Sequence, residues 1–293
     1  MNVKNAINMN FVHSFWINPM KGKKFGQIQE TLKIILVNYA YSVACIHKFG
    51  HTITLYTDAE GYDILKVIPY DKIEIVENTI TQSKHFAASI KFIALQKMSL
   101  DDILIDGDIF FEKPKVFDVI KNNKADLLVT LFEPNEFIIN NGNKVAEMFN
   151  SLHIDNDEFY KRPPYKKMPG WYNTSVMKFN NEEFKRKHIE QYIYHVEQVG
   201  DKDFPGTLWP DIIFEQYNLT PLSKYYNWTI DVINPYYGKT EQWCWDIGFV
   251  HLGAVKLGVH EEYLRRLETL DNALFKTLER HYKSLLEKYE TLK

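Results

Sequence analysis

The chain has 293 residues and a formal net charge of -3. That length permits a large buried core, and a charge so near neutral excludes the strongly basic surface typical of nucleic-acid binding. The two cysteines, Cys45 and Cys244, cannot form a zinc site alone and do not suggest a disulfide framework. Because the N-terminal residues are polar and no apolar run is long enough to cross a membrane, we expect a cytoplasmic protein with no transmembrane segment and no nucleic-acid partner.

The first half of the chain alternates apolar runs with segments of helical periodicity. Strands are predicted over 11–17, 52–58, 73–76, 103–111 and 126–132, and helices over 28–48, 84–98 and 116–121. Such alternation is typical of a mostly parallel sheet with helices on its faces. The predicted class is therefore α/β, of the Rossmann-like kind that binds nucleotides.

The second half is less regular and holds many aromatic residues. It contains an extended segment over 171–179, a helix over 182–199 and a Trp-, Pro- and Tyr-rich stretch over 204–237. Mixed aromatic segments of this kind suit a substrate-specific lobe. Since the sequence shows no repeat and no linker, we predict a single domain over 1–259.

The end of the chain is predicted to form a long amphipathic helix over 261–293. Its leucines recur mostly at three- and four-residue steps, with balanced charges between them. Packing on the chain's own domain is the first interpretation, and a homodimer through this helix is the second. A membrane-surface helix is the third, because the polar face is not basic enough. We treat 260–293 as a separate C-terminal helical segment.

Two carboxylates, Asp106 and Asp108, interrupt the apolar run Ile103–Phe111. An apolar strand is ordinarily buried, and burying bare carboxylates is costly unless a cation neutralises them. In a strand, residues two apart point to the same face, so both side chains could converge on one ion. The alternative is a solvated strand end at which the aspartates start a turn. We predict a divalent-metal site that serves a phosphate-bearing substrate.

A chemically matched segment, Gly248–Lys256, comes much later in the chain. The neutral imidazole of His251, with carboxylates and phosphate oxygens, suits Mn²⁺ or Mg²⁺, and Mn²⁺ better because of the nitrogen ligand. Gly253 would let the backbone approach a ligand closely, and Lys256 could hold a diphosphate oxygen as a point charge. A structural histidine after an apolar strand is the alternative.

With these residues in place, the chain resembles the GT-A-type glycosyltransferases, which transfer a sugar from a nucleotide-sugar donor. The resemblance covers about residues 8–258 and rests on Asp106–Asp108, Leu55–Asp58, Asn173–Met177 and His251–Lys256. Within this family, the segment His13–Pro19 resembles uncharacterised bacterial relatives of the capsular-polysaccharide transferases. The resemblance implies a GT-A-like fold, a nucleoside-diphosphate-sugar donor with UDP favoured, and a glycan or other hydroxyl acceptor.

The same resemblance implies a role for each matching residue. Asp108 and His251 would bind the metal, and Asp106 would bind the metal or the donor ribose. The other implied contacts to the donor come from Tyr56, Asp58, Lys91, Asn173, Thr174, Ser175, Gly253 and Lys256. A part in building cell-surface polysaccharide is implied by the resemblance alone.

The segment Thr207–Gln216 supplies the catalytic candidates. Asp211 and Glu215 are four residues apart, so on a helix they share one face. In resembling enzymes an acidic residue in this part of the chain faces the acceptor, and one of the pair could accept the proton of the acceptor hydroxyl in an inverting reaction. The alternative is an ordinary helix start, with Asp211 near the N-terminus and Glu215 solvated.

Two other functions compete with a glycosyltransferase. A phosphatase of the haloacid-dehalogenase type also uses Asp-x-Asp at a strand end, but there the pair usually follows the first strand, whereas here several elements precede it. A non-catalytic protein that binds a nucleotide or sugar could keep the same fold without turnover. Hydrolysis of the donor would exclude this second alternative.

Overall fold

A computed structural model of the chain describes residues 8–17, 25–83, 86–134, 170–200, 213–235, 241–252 and 256–290. The chain divides into two compact units, each assembled from separate stretches of sequence. The first unit consists of Met1–Glu77, Asp102–Val116 and Trp245–Lys293, and the second of Asn78–Asp101 and Phe117–Cys244. The prediction of one domain over 1–259 with a helical segment after it stays a prediction.

In the first unit, the strands β1 (Asn10–Phe15), β2 (Thr52–Thr57), β3 (Lys72–Ile75) and β4 (Ile103–Ile105) pair in parallel. Their order is β3-β2-β1-β4. The helices α1 (Phe25–Lys48) and α2 (Ala59–Leu65) follow β1 and β2 in sequence. The carboxyl ends of β1, β2 and β4 consequently meet at one edge, where open α/β sheets bind ligands.

A second, smaller sheet in the first unit pairs β5 (Ile109–Phe111) with β9 (Phe249–His251) in the antiparallel sense. The run 103–111 is therefore not one strand, and that prediction is wrong. A turn at 106–108 ends β4, and the chain restarts as β5. The physical reason is local, since the Ile109 N–H donates to the Asp106 carbonyl at 3.1 Å and closes the turn.

The end of the chain is helical, as predicted, but forms two helices, α8 (Lys256–Leu270) and α9 (Asn272–Glu290). The break falls at Asp271, whose carboxylate accepts from the Leu274 N–H at 2.9 Å and so caps α9. Leu274, Leu278 and Leu285 are buried within this chain. The leucine face thus packs on its own unit, and the homodimer stays a prediction.

In the second unit, the central strand β6 (Leu127–Pro134) pairs with β7 (Gly170–Phe179) in the antiparallel sense and with β8 (Ile230–Asn234) in parallel. Its helices are α3 (Ser89–Lys97), α5 (Glu182–Val199) and α6 (Leu219–Tyr226), with a π-helical turn over Ile213–Tyr217. The helices α4 (Lys115–Asn122) and α7 (Glu241–Ile247) straddle the sequence boundaries between the units.

Aromatic packing joins two helices of the second unit. Phe92 of α3 stacks on Tyr192 of α5 with ring centroids 3.6 Å apart, and both side chains are fully buried.

Parallel strand pairs outnumber antiparallel ones among the described strands, and helices accompany the strands of both units. The predicted α/β class is confirmed. In the described ranges no helix is long and apolar enough to cross a membrane.

Candidate functional site

The turn Asp106–Asp108 lies at the carboxyl end of β4, where the sequence places the metal site. The Asp108 side chain is only 4% exposed, whereas Asp106 is half-buried. Gly107 lies against the ring of Tyr39, and a Cβ at this position would collide with three of the ring atoms. Only glycine therefore fits between the two aspartates without displacing the Tyr39 ring.

Strand pairing brings His251 to this turn. Ile109 of β5 lies opposite His251 of β9, and the Leu252 N–H donates to the Asp108 carbonyl at 3.3 Å. At the other end of β9, Gly248 adopts a φ of 75°, and its carbonyl accepts from the Glu112 N–H at 2.7 Å. As a result, His251 Nε2 lies 3.8 Å from Asp108 Oδ2.

The donor atoms of this pair are of kinds that a divalent metal takes, and the metal itself stays a prediction. A carboxylate oxygen and an imidazole nitrogen are both donors that Mn²⁺ accepts. Across the described residues, no group of three or more His, Cys, Asp or Glu side chains is arranged to hold an ion. Divalent cations that serve phosphate transfer are commonly bound by one or two carboxylates plus substrate oxygens. Asp108 and His251 therefore fit a site that the substrate would complete.

Tyr56 and Asp58 lie at the carboxyl end of β2, in the same parallel set as β4. Asp58 caps α2, because its Oδ1 accepts from the Gly61 N–H at 2.8 Å. Tyr56 is buried, and burial raises the pKa of its phenol, with the nearby Glu74 carboxylate adding to the effect. The cap gives Asp58 a structural function, and contact with a nucleotide base stays a prediction for both residues.

Three other predicted site residues meet in the second unit. Glu215 Oε1 lies 2.7 Å from Lys91 Nζ and accepts a hydrogen bond from Thr174 Oγ1 at 2.6 Å. The Lys91 and Glu215 side chains are 14% and 6% exposed, so this is a buried ion pair. The alternative to a catalytic Glu215 was a solvated side chain. That alternative is wrong, because Glu215 is buried.

That contact lies where one strand pairing and one helix are irregular. Between Val129 and Leu131 of β6 the register with β7 shifts, and the Val176 N–H of β7 donates to Thr130 Oγ1 at 2.8 Å. Glu215 itself lies in the π-helical turn. Bulges and π-turns recur at functional sites because they re-aim side chains. Here they accompany the contact between Thr174 and Glu215.

Of the remaining candidates, Asn173 and Ser175 are described in the structure, and the others are described only in part or not at all. Asn173 Nδ2 donates to Glu133 Oε1 at 3.4 Å, and Asn173 Oδ1 accepts from the Ser175 N–H at 3.1 Å. Asp211 and Gly253 lie outside the described residues, and Lys256 begins α8 with a side chain that is not described. The shared helix face of Asp211 and Glu215 thus stays a prediction.

Sequence reasoning missed two polar residues close to these candidates. Glu133 accepts hydrogen bonds from Asn173 and from the Trp171 indole N–H. His13 is fully buried in the first unit, near the Asp106–Asp108 turn. A signal for His13 was present, because a histidine in the middle of an apolar strand needs buried partners. Glu133 gave no such signal, since strand ends often carry charges.

Two solved structures that resemble this chain do so distantly. One is the glycosyltransferase GlyE of Streptococcus pneumoniae TIGR4, with 10% identity and a TM-score of 0.35 over 77% of this chain and 45% of that one. Another is 4-diphosphocytidyl-2C-methyl-D-erythritol synthase of Anaerococcus prevotii DSM 20548, with 14% identity and a TM-score of 0.37 over 88% of this chain and 96% of that one. This chain thus spans about half the length of GlyE. With TM-scores below 0.5, we draw nothing about function from either protein.

Comparison with curated proteins found no match. The sequence matches one described family over residues 9–288, which is nearly its whole length and includes every candidate site residue. The chain therefore belongs to the family of unknown function DUF6734.

Proposed function

We propose that the chain is a metal-dependent glycosyltransferase. It would move a sugar from a nucleoside-diphosphate sugar, with a UDP-sugar favoured, to a hydroxyl of a glycan or another acceptor. One observation carries the proposal: the buried Asp108 carboxylate lies at the carboxyl end of a parallel strand and faces His251 at 3.8 Å. A buried carboxylate beside an imidazole is suited to a cation that also binds phosphate oxygens.

In this proposal, Asp106, Asp108 and His251 would hold Mn²⁺ or Mg²⁺, and Lys256 would hold the diphosphate. When bound, the ion would supply positive charge to the nucleoside diphosphate as the glycosidic bond breaks. The protein's own contribution begins with the turn, in which Gly107 lets the backbone between the two aspartates lie against the Tyr39 ring. Tyr56 and Asp58, at the carboxyl end of β2, would border the base.

The predicted roles in the second unit are separate proposals. Lys91 and Asn173–Ser175 would contact the donor, and Glu215 or Asp211 would accept the proton of the acceptor hydroxyl. Lys91 and Thr174 both contact one oxygen of Glu215. This contact supports the proposal that the three residues act together. The alternative is a protein that binds a nucleotide without turnover, in which the same contacts would be purely structural.

The test is the melting temperature with UDP, GDP, CDP or CMP, each with and without Mn²⁺. A ligand that binds only the folded state at about 100 times its Kd stabilises it by about 2.7 kcal/mol. We expect a rise of several degrees with one diphosphate, and only when the metal is present. Donor hydrolysis would then separate an enzyme from a binding protein.

Two variants make that test specific to the site. Asp108→Asn should remove the metal-dependent rise, because the amide cannot supply the negative charge. Asp101→Asn is the matched control, since Asp101 is an exposed aspartate just before β4, and it should respond like the wild type. A metal-dependent rise that persists unchanged in Asp108→Asn would disprove the metal assignment.

A further inference from the structure

A chain of buried polar side chains lies beneath the Asp106–Asp108 turn. His13 on β1 and Ser42 on α1 are 0% and 1% exposed. His13 Nδ1 lies 2.9 Å from Tyr70 Oη, His13 Nε2 lies 3.1 Å from Ser42 Oγ, and Ser42 Oγ lies 2.8 Å from the Ile109 carbonyl oxygen. Four groups thus form one continuous line of hydrogen bonds that ends at the residue after Asp108.

The direction of every bond in this line follows from its last member. The Ile109 carbonyl can only accept, so the Ser42 hydroxyl donates its one hydrogen there. Ser42 Oγ must then accept from His13 Nε2–H, which leaves Nδ1 to accept from the Tyr70 hydroxyl. Burial lowers the pKa of His13 to about 3 despite the nearby Asp106. The imidazole is therefore neutral at pH 7, as this single-direction pattern requires.

Ile109 needs this partner because of its place in the ladder. The Leu252 N–H donates to the Asp108 carbonyl, so Asp108 and Leu252 form a hydrogen-bonded pair and the next pair, Ile109 and His251, does not. The Ile109 carbonyl consequently points away from β9, and Ile109 is fully buried. Ser42 supplies the hydrogen bond that β9 does not provide.

Tyr39, also on α1, contacts both His13 and the Asp106–Asp108 turn. Tyr39 packs edge-on against His13 with centroids 4.9 Å apart and donates its hydroxyl to the Ser14 carbonyl at 2.9 Å. Gly107 also lies against the Tyr39 ring. The turn is thus held at Gly107 by a ring and at Ile109 by a hydroxyl, both from α1.

We propose that Ser42 and His13 are positioning residues for the nucleoside-diphosphate site, holding the Asp106–Asp108 turn in register with His251 through the Ile109 carbonyl. The nucleoside-diphosphate ligand in this inference rests on the proposed function. The effect of Ser42 and His13 on the turn does not. Neither residue touches the ligand in this proposal. They act by fixing the backbone from which Asp108 projects.

The first experiment measures backbone protection without any ligand. The Ile109 and Leu252 N–H groups donate to the carbonyls of Asp106 and Asp108, so their hydrogen exchange reports on the turn itself. In Ser42→Ala we expect both amides to exchange at least tenfold faster. In Ser42→Thr, which keeps the hydroxyl, exchange should stay within about threefold of wild type. Unchanged exchange in Ser42→Ala would overturn the proposal.

The matched control is Ser223→Ala in the second unit. Ser223 is also a buried helical serine, and its hydroxyl donates to the Thr220 carbonyl at 3.0 Å. This variant loses a similar hydrogen bond, so any loss of global stability should be similar. Exchange at Ile109 and Leu252 should nevertheless stay as in wild type. Equal acceleration in both variants would mean that Ser42 acts only on global stability.

The second experiment measures the affinity for UDP in the presence of Mn²⁺. Ser42→Ala should weaken it about tenfold, which corresponds to about 1.4 kcal/mol, and Ser42→Thr should restore it. Wild-type affinity in Ser42→Ala with faster exchange would overturn the link to binding. If the wild-type protein binds none of UDP, GDP, CDP or CMP, the proposed function fails, while the exchange result still decides the structural part. If Ser42→Ala does not fold, Tyr70→Phe removes the first donor of the chain and should accelerate the same amides.

Discussion

At the residue scale, Glu215 carries a carboxylate into the interior of the second unit, where Lys91 and Thr174 both contact its Oε1. Removing one member of a buried ion pair leaves an uncompensated charge, whereas removing both is often nearly neutral. The pair therefore couples two residues that are 124 positions apart in sequence. This coupling can be measured.

We expect Lys91→Met to lower the free energy of unfolding by about 3 kcal/mol, because Glu215 stays buried without its cation. The double variant Lys91→Met, Glu215→Gln should recover a large part of that loss. Urea denaturation of the wild type, both single variants and the double variant gives the coupling energy. Strict additivity would contradict a direct interaction. A catalytic Glu215 would in addition make Glu215→Gln lower turnover more than donor binding.

At the element scale, the break between α8 and α9 is set by one side chain. Leucine periodicity continues through the break, so the pattern predicts one helix. The α9 helix contacts earlier parts of the first unit. His281 Nε2 lies 2.9 Å from the Ile64 carbonyl, and the Tyr282 hydroxyl donates to the Gln29 carbonyl at 3.2 Å. The cap at Asp271 and these two contacts together hold α9 in place.

We expect Asp271→Ala to lower the free energy of unfolding by about 1 kcal/mol, since the Leu274 N–H loses its cap. Asp271→Asn keeps a side-chain oxygen at the same place and should lose less than half as much. Guanidinium denaturation measures both variants. Equal losses in the two would show that the charge of Asp271, and not the cap, stabilises the start of α9.

At the scale of the whole molecule, both units bury neutral histidines. Burial lowers the pKa of His13, His188 and His195 to about 3. Neither ring nitrogen of His188 has a hydrogen-bond partner among the described residues, and the rings of Phe92 and Phe179 lie beside it. These histidines make the fold sensitive to acid.

The sign follows from proton binding. Below about pH 6.5 the unfolded chain protonates each histidine while the folded chain does not, so the unfolded state binds more protons and stability falls as the pH falls. Each buried histidine should remove about 1.4 kcal/mol per pH unit between pH 6.5 and 3. Above pH 6.5 these groups should have no effect on the pH dependence.

His188→Leu isolates one of these contributions. Urea denaturation at pH 7.5, 6 and 5 should show a shallower loss of stability than in wild type, by about 1.4 kcal/mol per pH unit well below pH 6.5. Ile189→Val is the control, because Ile189 is the buried neighbour of His188 in α5 and binds no proton, and it should leave the slope as it is. Equal slopes in His188→Leu and the wild type would contradict a neutral buried His188.

Much of the fold follows from local pattern. The α1 and α5 helices and the strands β2 and β7 lie within a few residues of their predicted places, since periodicity and apolar runs are local properties. The pair Asp106 and Asp108 was identifiable because carboxylates interrupt an apolar run. Their turn was stated only as the alternative to a continuous strand, because the bond from Ile109 to Asp106 and the contact of Gly107 with Tyr39 leave no signal in composition.

The sequence by itself determined the α/β class, the position of the aspartate pair at a strand end and the helical nature of the C-terminal segment. Only the tertiary structure decided which polar groups meet: Asp108 with His251, Lys91 with Thr174 and Glu215, and His13 with Ser42. The physical reason is range. Secondary structure depends on neighbours within a few residues, whereas a buried polar contact depends on strand register, bulges and π-turns that bring distant positions together.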